Sequence, residues 1–434
     1  MERFEIAAAR VRILTYDDIV AGNDKVYWQL DANIFRSLAC ARQGRAKLLP
    51  RLQQLTWTVL NDDVYPCILL FLSPNIRDLA IFMATGKTAS DNMRFSLLTS
   101  LASQCPSVRS LALHMRENSL ISWRNLFSRH ASGALFTLWT GLESLALRNL
   151  DLGPLMDVLV GLPALTTLDL RSCQTADASS PSQNGKKGFG KLEHLILFDC
   201  SFDSCLHVLR CMHSTPLASI DIRVVGASHQ AQWVELFSKL KNGVLQDSLS
   251  IMFISSRQRA DNLRNVSLSF QTISPLLSFQ RLTHFTLLGF GAHDLDDGDI
   301  SRMAKAWPCL HVFKIFPTGT RPEPPQSTVH TLVSFAKYCR RLEYLALTID
   351  ATAVSNYEEK PGKGTYSTRL RELDVFDSPI DDPGRVAAFI SDVFPNVEEL
   401  RVYMPSEDDK RKWKEVEKLI PVFAAVRRQE TNKT

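Results

Sequence analysis

The sequence lacks a long apolar run. No window approaches about 18 uninterrupted apolar residues, so no segment predicts a membrane-spanning helix. Charged residues also interrupt the first stretch, MERFEIAAARVRILTYDD, which therefore lacks the apolar core of a secretory signal. We expect a cytoplasmic or nuclear protein with no membrane partner.

An excess of charge of one sign is also missing. The net charge is +4, and acidic and basic residues are mixed along the chain, which gives little reason to expect a nucleic-acid partner. The chain has nine cysteines, an odd number. In a cytoplasmic or nuclear protein we expect these to be free thiols rather than disulfides.

Motifs that would carry catalysis are absent from the sequence. The glycine-containing stretches at 184–191 and 360–367 lack the G-x-x-x-x-G-K-[ST] spacing of a phosphate-binding loop. The hydrolase patterns G-x-S-x-G and H-E-x-x-H do not occur. We therefore expect no enzymatic activity, no catalytic residues and no cofactor.

What the sequence does contain is a repeat. Thirteen segments follow L-x-x-L-x-L, with other apolar residues allowed, and they start at residues 11, 52, 76, 108, 142, 165, 192, 217, 282, 310, 342, 370 and 397. The last two apolar residues of each segment alternate, so they point to one face of a short strand. Stretches with helical spacing follow, as at 153–162 and 296–307. One such unit cannot bury its apolar face alone, whereas stacked units share a continuous core.

This pattern predicts an α/β leucine-rich-repeat solenoid, or horseshoe. We expect irregular first repeats over residues 1–100, the main solenoid over 101–404, and a capping helix and tail over 405–434. The register between residues 223 and 281 is open, since either SLSIMF (248–253) or LRNVSLSF (263–270) could supply a strand.

The tail carries an apolar stripe of Val416, Leu419, Ile420 and Phe423 at helical spacing. A solenoid needs its last repeat covered, which favours a capping helix. A helix that binds a partner is the alternative.

The segment DCSFDSCLHVLRCMH at 199–213 has the residue types of a zinc site. Its five possible ligands are Cys200, Cys205, His207, Cys211 and His213. However, it has no Cys-x-x-Cys pair. Cys200 instead ends L-x-x-L-x-L-x-x-C, as Cys173 does one repeat earlier, where the repeat places a small inward-turning residue. Leu206 and Leu209 would then face the core from the following helix. We favour this structural interpretation and predict no metal site.

The residues between the strand leucines should point away from the core, onto the concave face of the solenoid. We predict that this face binds a protein target, through Asp169, Arg171, His194, Phe198, Asp221, Arg223, Lys314, Phe316, Tyr344, Asp374, Phe376, Arg401 and Tyr403. Aromatic and arginine side chains are enriched in protein-binding hot spots. The four aromatics Phe198, Phe316, Phe376 and Tyr403 are the most informative, because large apolar groups are not needed there for folding. The alternative is that insertion loops cover them.

The segments that lead into the strands carry a family resemblance. Examples are QCPSVRSLAL (104–113), WPCLHVFKI (307–315) and LDDGDISRMAKAWPCL (295–310). From about residue 3 to 430, the sequence resembles F-box-like leucine-rich-repeat proteins of mushroom-forming (basidiomycete) fungi. The resemblance implies the substrate receptor of a cullin-type (SCF) ubiquitin ligase, with a protein target on the concave face.

The F-box that precedes the repeats in that family has no match in this sequence. Two functional interpretations follow. The chain is a ligase substrate receptor, which would bind the cullin adaptor if an F-box lies upstream, or it is a leucine-rich-repeat scaffold or binding protein with no role in ubiquitination.

Overall fold

The computed structural model describes residues 2–17, 32–41, 47–59, 64–83, 91–115, 136, 138–153, 155–175, 188–226, 229–257, 268–290, 293–317, 324–354, 362, 364–403 and 406–431. These residues form two compact units, Met1–Thr215 and Pro216–Thr434. The expected insertions at 176–190 and 354–368 lie largely outside the described residues.

In the first unit, seven strands pair in chain order, and each described pair is parallel. The strands are β1 (Ile13–Asp17), β2 (Gln54–Val59), β3 (Asp78–Met83), β4 (Ser110–Met115), β5 (Ser144–Arg148), β6 (Thr167–Arg171) and β7 (His194–Cys200). The helices are α1 (Glu2–Ala8), α2 (Ala32–Ala41), α3 (Asp91–Gln104), α4 (Met156–Val160) and α5 (Phe202–Arg210), with a 3-10 helix at Tyr65–Leu70.

The second unit repeats this arrangement with seven more strands, again parallel and in chain order. The strands are β8 (Ser219–Val225), β9 (Ile251–Arg257), β10 (His284–Phe290), β11 (Val312–Pro317), β12 (Tyr344–Ala346), β13 (Glu372–Asp374) and β14 (Glu399–Arg401). The helices are α6 (Gln230–Gly243), α7 (Phe270–Ile273), α8 (Asp297–Ala306), α9 (Thr331–Tyr338), α10 (Pro383–Val393) and α11 (Glu407–Thr431), with a 3-10 helix at Ser274–Ser278.

All thirteen sequence segments form strands, and each unit is an α/β leucine-rich-repeat solenoid, as the sequence predicts. The strand left open between residues 223 and 281 is β9, which begins inside SLSIMF. The alternative, 263–270, lies mostly outside the described residues and ends at the first residue of α7. The expected boundaries near residues 100 and 404 stay predictions.

Within each unit, neighbouring strands are connected at their starts by a carbonyl oxygen that accepts two hydrogen bonds. The carbonyl oxygen of Arg109 accepts hydrogen bonds from the amides of Glu143 (2.8 Å) and Ser144 (2.9 Å). The same pairing recurs from repeat to repeat in both units, at the carbonyls of Arg12, Gln53, Arg77, Glu143, Thr166, Ala218, Ser250, Thr283, His311, Glu343 and Arg371. It fixes the register, so that the leucines of successive strands, such as Leu145 and Leu168, are buried side by side.

Cys200 has the structural role that the repeat predicts. It is fully buried, and its thiol lies 3.5 Å from the carbonyl oxygen of Leu170. The following helix, α5, buries Leu206 and Leu209 as expected. Burial raises the pKa of the Cys200 thiol to about 11, which disfavours the thiolate that a metal would need. Within the described residues, no three His, Cys, Asp or Glu side chains are grouped to hold a metal ion.

The C-terminal helix α11 packs against α10. Its Trp413 is fully buried, and the indole Nε1 donates to the carbonyl oxygen of Ser378 at 2.9 Å. Val416 and Ile420 of the predicted stripe are buried, whereas Leu419 and Phe423 remain partly exposed. Among the described helices, none is both long enough and apolar enough to cross a membrane.

Replacing Gly289 in β10 by alanine should destabilise the protein more than the same change at Gly226. Both glycines have positive φ, +85° and +98°, so each alanine incurs a penalty of about 1–2 kcal/mol. Only at Gly289 would the new Cβ fall 2.0 Å from a backbone oxygen, that of Ser256 in β9. We expect Gly289→Ala to cost at least about 2 kcal/mol more, measured by urea unfolding followed by tryptophan fluorescence. Equal losses for the two variants would contradict this close contact.

Candidate functional site: the open strand face

Eleven of the thirteen predicted binding residues lie on strands, on the face opposite the buried leucines, here called the open face; Phe376 and Tyr403 lie two residues beyond the ends of β13 and β14. The structure brings them together in three groups. The first unit holds Asp169, Arg171, His194 and Phe198 on β6 and β7. The second unit holds the pair Asp221 and Arg223 on β8. It also holds a larger group over β11 to β14, here called the C-terminal patch: Lys314, Phe316, Tyr344, Asp374, Phe376, Arg401 and Tyr403.

In the first unit, Arg171 is held by an acid on its own strand. Its Nε lies 3.0 Å from Asp169 Oδ1, and its Nη2 lies 2.8 Å from Oδ2, because residues i and i+2 of a strand share a face. The guanidinium carbon lies 5.5 Å from the ring centre of Phe198 on the next strand. His194, at the start of β7, is exposed. These contacts orient a cation and an aromatic ring toward solvent together.

Three further residues, which were not among those predicted, lie in the same row of the open face. Phe82, His114 and Arg148 stand beside one another through the register of β3, β4 and β5, and Arg148 stands beside Arg171. The rings of Phe82 and His114 stack with centres 4.5 Å apart. Burial, together with the nearby arginines, lowers the pKa of His114, which favours the neutral ring. Each of the three directly follows the last apolar residue of its L-x-x-L-x-L segment, as Arg171 and Phe198 do. This shared position could have identified them from the sequence.

In the second unit, Asp221 and Arg223 form a similar pair. The Arg223 Nε lies 3.0 Å from Asp221 Oδ1, and Nη2 lies 2.9 Å from Oδ2. The guanidinium carbon lies 4.7 Å above the ring of Phe253 on β9. Phe253 was missed because the register of its strand was open at the level of sequence.

The C-terminal patch is built around the carboxylate of Asp374. The Tyr344 hydroxyl donates to it, and Lys314 Nζ lies 3.4 Å from that hydroxyl. Arg401 Nη1 lies 3.7 Å from Asp374 Oδ1 and 2.7 Å from Glu372 Oε2. Four neighbouring strands thus contribute to one hydrogen-bonded network.

Asp374 is 1% exposed, although the sequence predicts it as a surface residue, so this prediction is wrong. The side chains of Tyr344 and Arg401, on the same face of the neighbouring strands, contact and cover it. Burial raises the pKa of Asp374, and its Oδ1 receives no hydrogen bond from the described residues. Burial and the bond to Asp374 also raise the pKa of the Tyr344 hydroxyl.

Beside this network, three aromatic rings pack against one another, and Phe316 meets the other two in T-shaped geometry. The ring centres of Phe316 and Phe376 lie 4.6 Å apart, and those of Phe376 and Tyr403 lie 5.8 Å apart. The prediction of an exposed Phe376 is wrong, since it is 2% exposed beneath the other two rings. Tyr403 remains 41% exposed. The patch therefore presents an apolar edge beside charged groups.

Comparison with known proteins gives matches at the level of solved structures. No family model matches the sequence, and no curated protein matches it. The chain is similar to an internalin, InlF, from Listeria monocytogenes, with 13% identity, a TM-score of 0.44, and coverage of 89% of this chain and 93% of that one. It is also similar to a structure of the yeast Rad7 and Elc1 complex, with 13% identity, a TM-score of 0.40, and coverage of 87% and 84%.

A third similar structure is the leucine-rich-repeat ectodomain of the Arabidopsis thaliana receptor kinase GASSHO1/SCHENGEN3, in complex with CASPARIAN STRIP INTEGRITY FACTOR 2. The identity is 14%, the TM-score 0.34, and the coverage 83% of this chain and 45% of that one. With identities and TM-scores this low, the assignment of the fold rests on the repeat and on the strand pairing of this chain itself.

Replacing Asp374 by asparagine should stabilise the protein progressively as the pH rises from about 4 to 7. A carboxyl whose pKa is raised on folding contributes stability that is complete below its unfolded pKa and is lost as the pH passes its folded pKa. Because the asparagine side chain stays neutral, the difference between variant and wild type should grow in favour of the variant, as measured by urea unfolding at each pH.

The matched control is Asp169→Asn, which should destabilise the protein at pH 7 because it leaves Arg171 without its carboxylate partner. A difference between Asp374→Asn and wild type that stays constant, or shrinks, from pH 4 to pH 7 would show that Asp374 is not held at a raised pKa.

Proposed function

We propose that this chain is a protein-recognition module that binds a protein target through the open face, with the C-terminal patch as the main contact. The observation that carries the proposal is the aromatic trio of Phe316, Phe376 and Tyr403 beside the charged network around Asp374. Aromatic anchors with a polar rim are the usual composition of a binding hot spot.

The dimensions of the patch favour a macromolecule over a small ligand. Its residues come from four neighbouring strands, which at about 4.8 Å per step cover about 14 Å across the sheet. Tyr403 and Lys314 lie at its two ends, beside β14 and on β11, with polar and apolar groups between them. A partner that sets an apolar side chain beside charged groups would match this arrangement.

The proposal extends to the role of substrate receptor for a cullin-type (SCF) ubiquitin ligase. The support for this extension is the resemblance of the repeats to F-box-like fungal proteins. In this role the open face would hold the target, and an F-box upstream would bind the cullin adaptor. A scaffold or binding protein without a role in ubiquitination would use the same face, so the two roles differ only in the adaptor.

Affinity capture from the native extract, with the proteasome blocked, tests both parts of the proposal. We expect Tyr403→Ala to release a partner that the wild type retains, since truncating a hot-spot residue costs about 2 kcal/mol or more in binding free energy. The matched control is Tyr366→Ala, which removes an equally large ring that is 64% exposed in the segment before β13. Quantitative mass spectrometry of the captured proteins gives the readout.

A partner lost equally with both tyrosine variants, or with neither, would contradict recognition through the C-terminal patch. Retention of a cullin and its adaptor together with a Tyr403-dependent target would support the ligase role. A Tyr403-dependent target without them would favour the scaffold or binding protein.

A further inference from the structure

A column of arginines lines the edge of the first unit where its strands begin. The residue directly before each of the strands β1 to β4 is, in order, Arg12, Gln53, Arg77 and Arg109. The backbone carbonyl of each of these residues accepts two hydrogen bonds from the start of the following strand. Their side chains therefore leave the sheet at equivalent positions, about 4.8 Å apart from one strand to the next.

The column borders a groove of about 620 Å³. Arg51 also lines this groove, so that four arginines face it together with one acid, Glu143. Glu143 is paired with Arg109, its Oε1 lying 3.0 Å from Nη1. The charge of the groove is thus strongly positive, although the net charge of the whole chain is only +4.

The four arginines of the groove differ in their polar contacts within the described residues. Arg12 donates to the carbonyl oxygen of Ala9 at 3.0 Å, and Arg109 pairs with Glu143. In contrast, the side chains of Arg51 and Arg77 are exposed and make neither an ion pair nor a hydrogen bond with the described part of the chain. Arg51 and Arg77 are therefore available to an anion that enters the groove, and such an anion would gain favourable electrostatic energy.

We propose that this groove binds an extended acidic peptide segment. Alternate side chains of an extended peptide lie about 6.6 Å apart on one side, a spacing that long arginine side chains on neighbouring strands can meet. The planar guanidinium groups match carboxylates through paired hydrogen bonds. From Arg12 to Glu143 the column has four steps, about 19 Å, which is the length of about six extended residues.

The lining favours a peptide over a nucleic acid. Single-stranded nucleic acids are usually held by aromatic rings on which bases stack, and no described residue that lines the groove is aromatic. The groove also lies at the edge where strands begin, apart from the open face, so this inference stands independently of the proposed function.

Fluorescence anisotropy with a labelled hexaglutamate peptide tests the inference on the full chain. We expect the wild type to bind this peptide at low salt but not the hexaglutamine equivalent. The double variant Arg51→Glu/Arg77→Glu should lose at least about tenfold in affinity, because it replaces two cations that pair with the carboxylates of the peptide by two anions that repel them. The matched control, Arg340→Glu/Arg341→Glu, makes the same charge change at two exposed arginines of the second unit and should change affinity less than about twofold.

Several results would overturn the inference. They are failure of the wild type to bind hexaglutamate, equal losses in the two double variants, or tighter binding of an oligothymidine of equal charge with the same dependence on Arg51 and Arg77. If the glutamate variant does not fold, Arg51→Gln/Arg77→Gln replaces it with the same criteria. Tyr403→Ala should leave peptide binding unchanged, which separates this groove from the C-terminal patch.

Discussion

The structure of each unit depends on the carbonyl that every strand shares with the next. Two amides of the following repeat donate to it, and the buried leucines of both strands meet beneath. A repeat by itself would leave these donors and this apolar surface in water, so its conformation is defined only by its neighbours. These hydrogen bonds also place equivalent residues of successive repeats side by side. Both the row on the open face and the arginine column at the strand starts result from this alignment.

Most of the fold could be predicted from the sequence because the strand pattern is local. Within L-x-x-L-x-L, alternation alone decides which residues face the core, as the buried Leu145 and Leu168 show. Burial on the open face could not be predicted in the same way. Asp374 and Phe376 are covered by side chains such as Tyr344 and Phe316, which are distant in the chain. The contacts that bury Asp374 and Phe376 form only when repeats of unequal length align strand against strand.

The open face combines local and long-range order. Two ion pairs form between residues i and i+2 of a single strand, Asp169 with Arg171 and Asp221 with Arg223. Such contacts depend only on the local sequence. The ring beneath each arginine comes from the next strand, as Phe198 and Phe253 do. Each guanidinium is therefore held between an acid and a ring, which restricts its conformational freedom within the folded chain.

Among the described strands, β14 is the last in the sheet, and its length and charge bear on aggregation. A long, flat edge strand offers unpaired amides and carbonyls to other chains and promotes aggregation. β14 has only three residues, and two of them, Glu399 and Arg401, carry charges that are paired with each other on its surface. A foreign strand that added there would gain few backbone hydrogen bonds, so the growth of the sheet from one molecule to the next is disfavoured at this end.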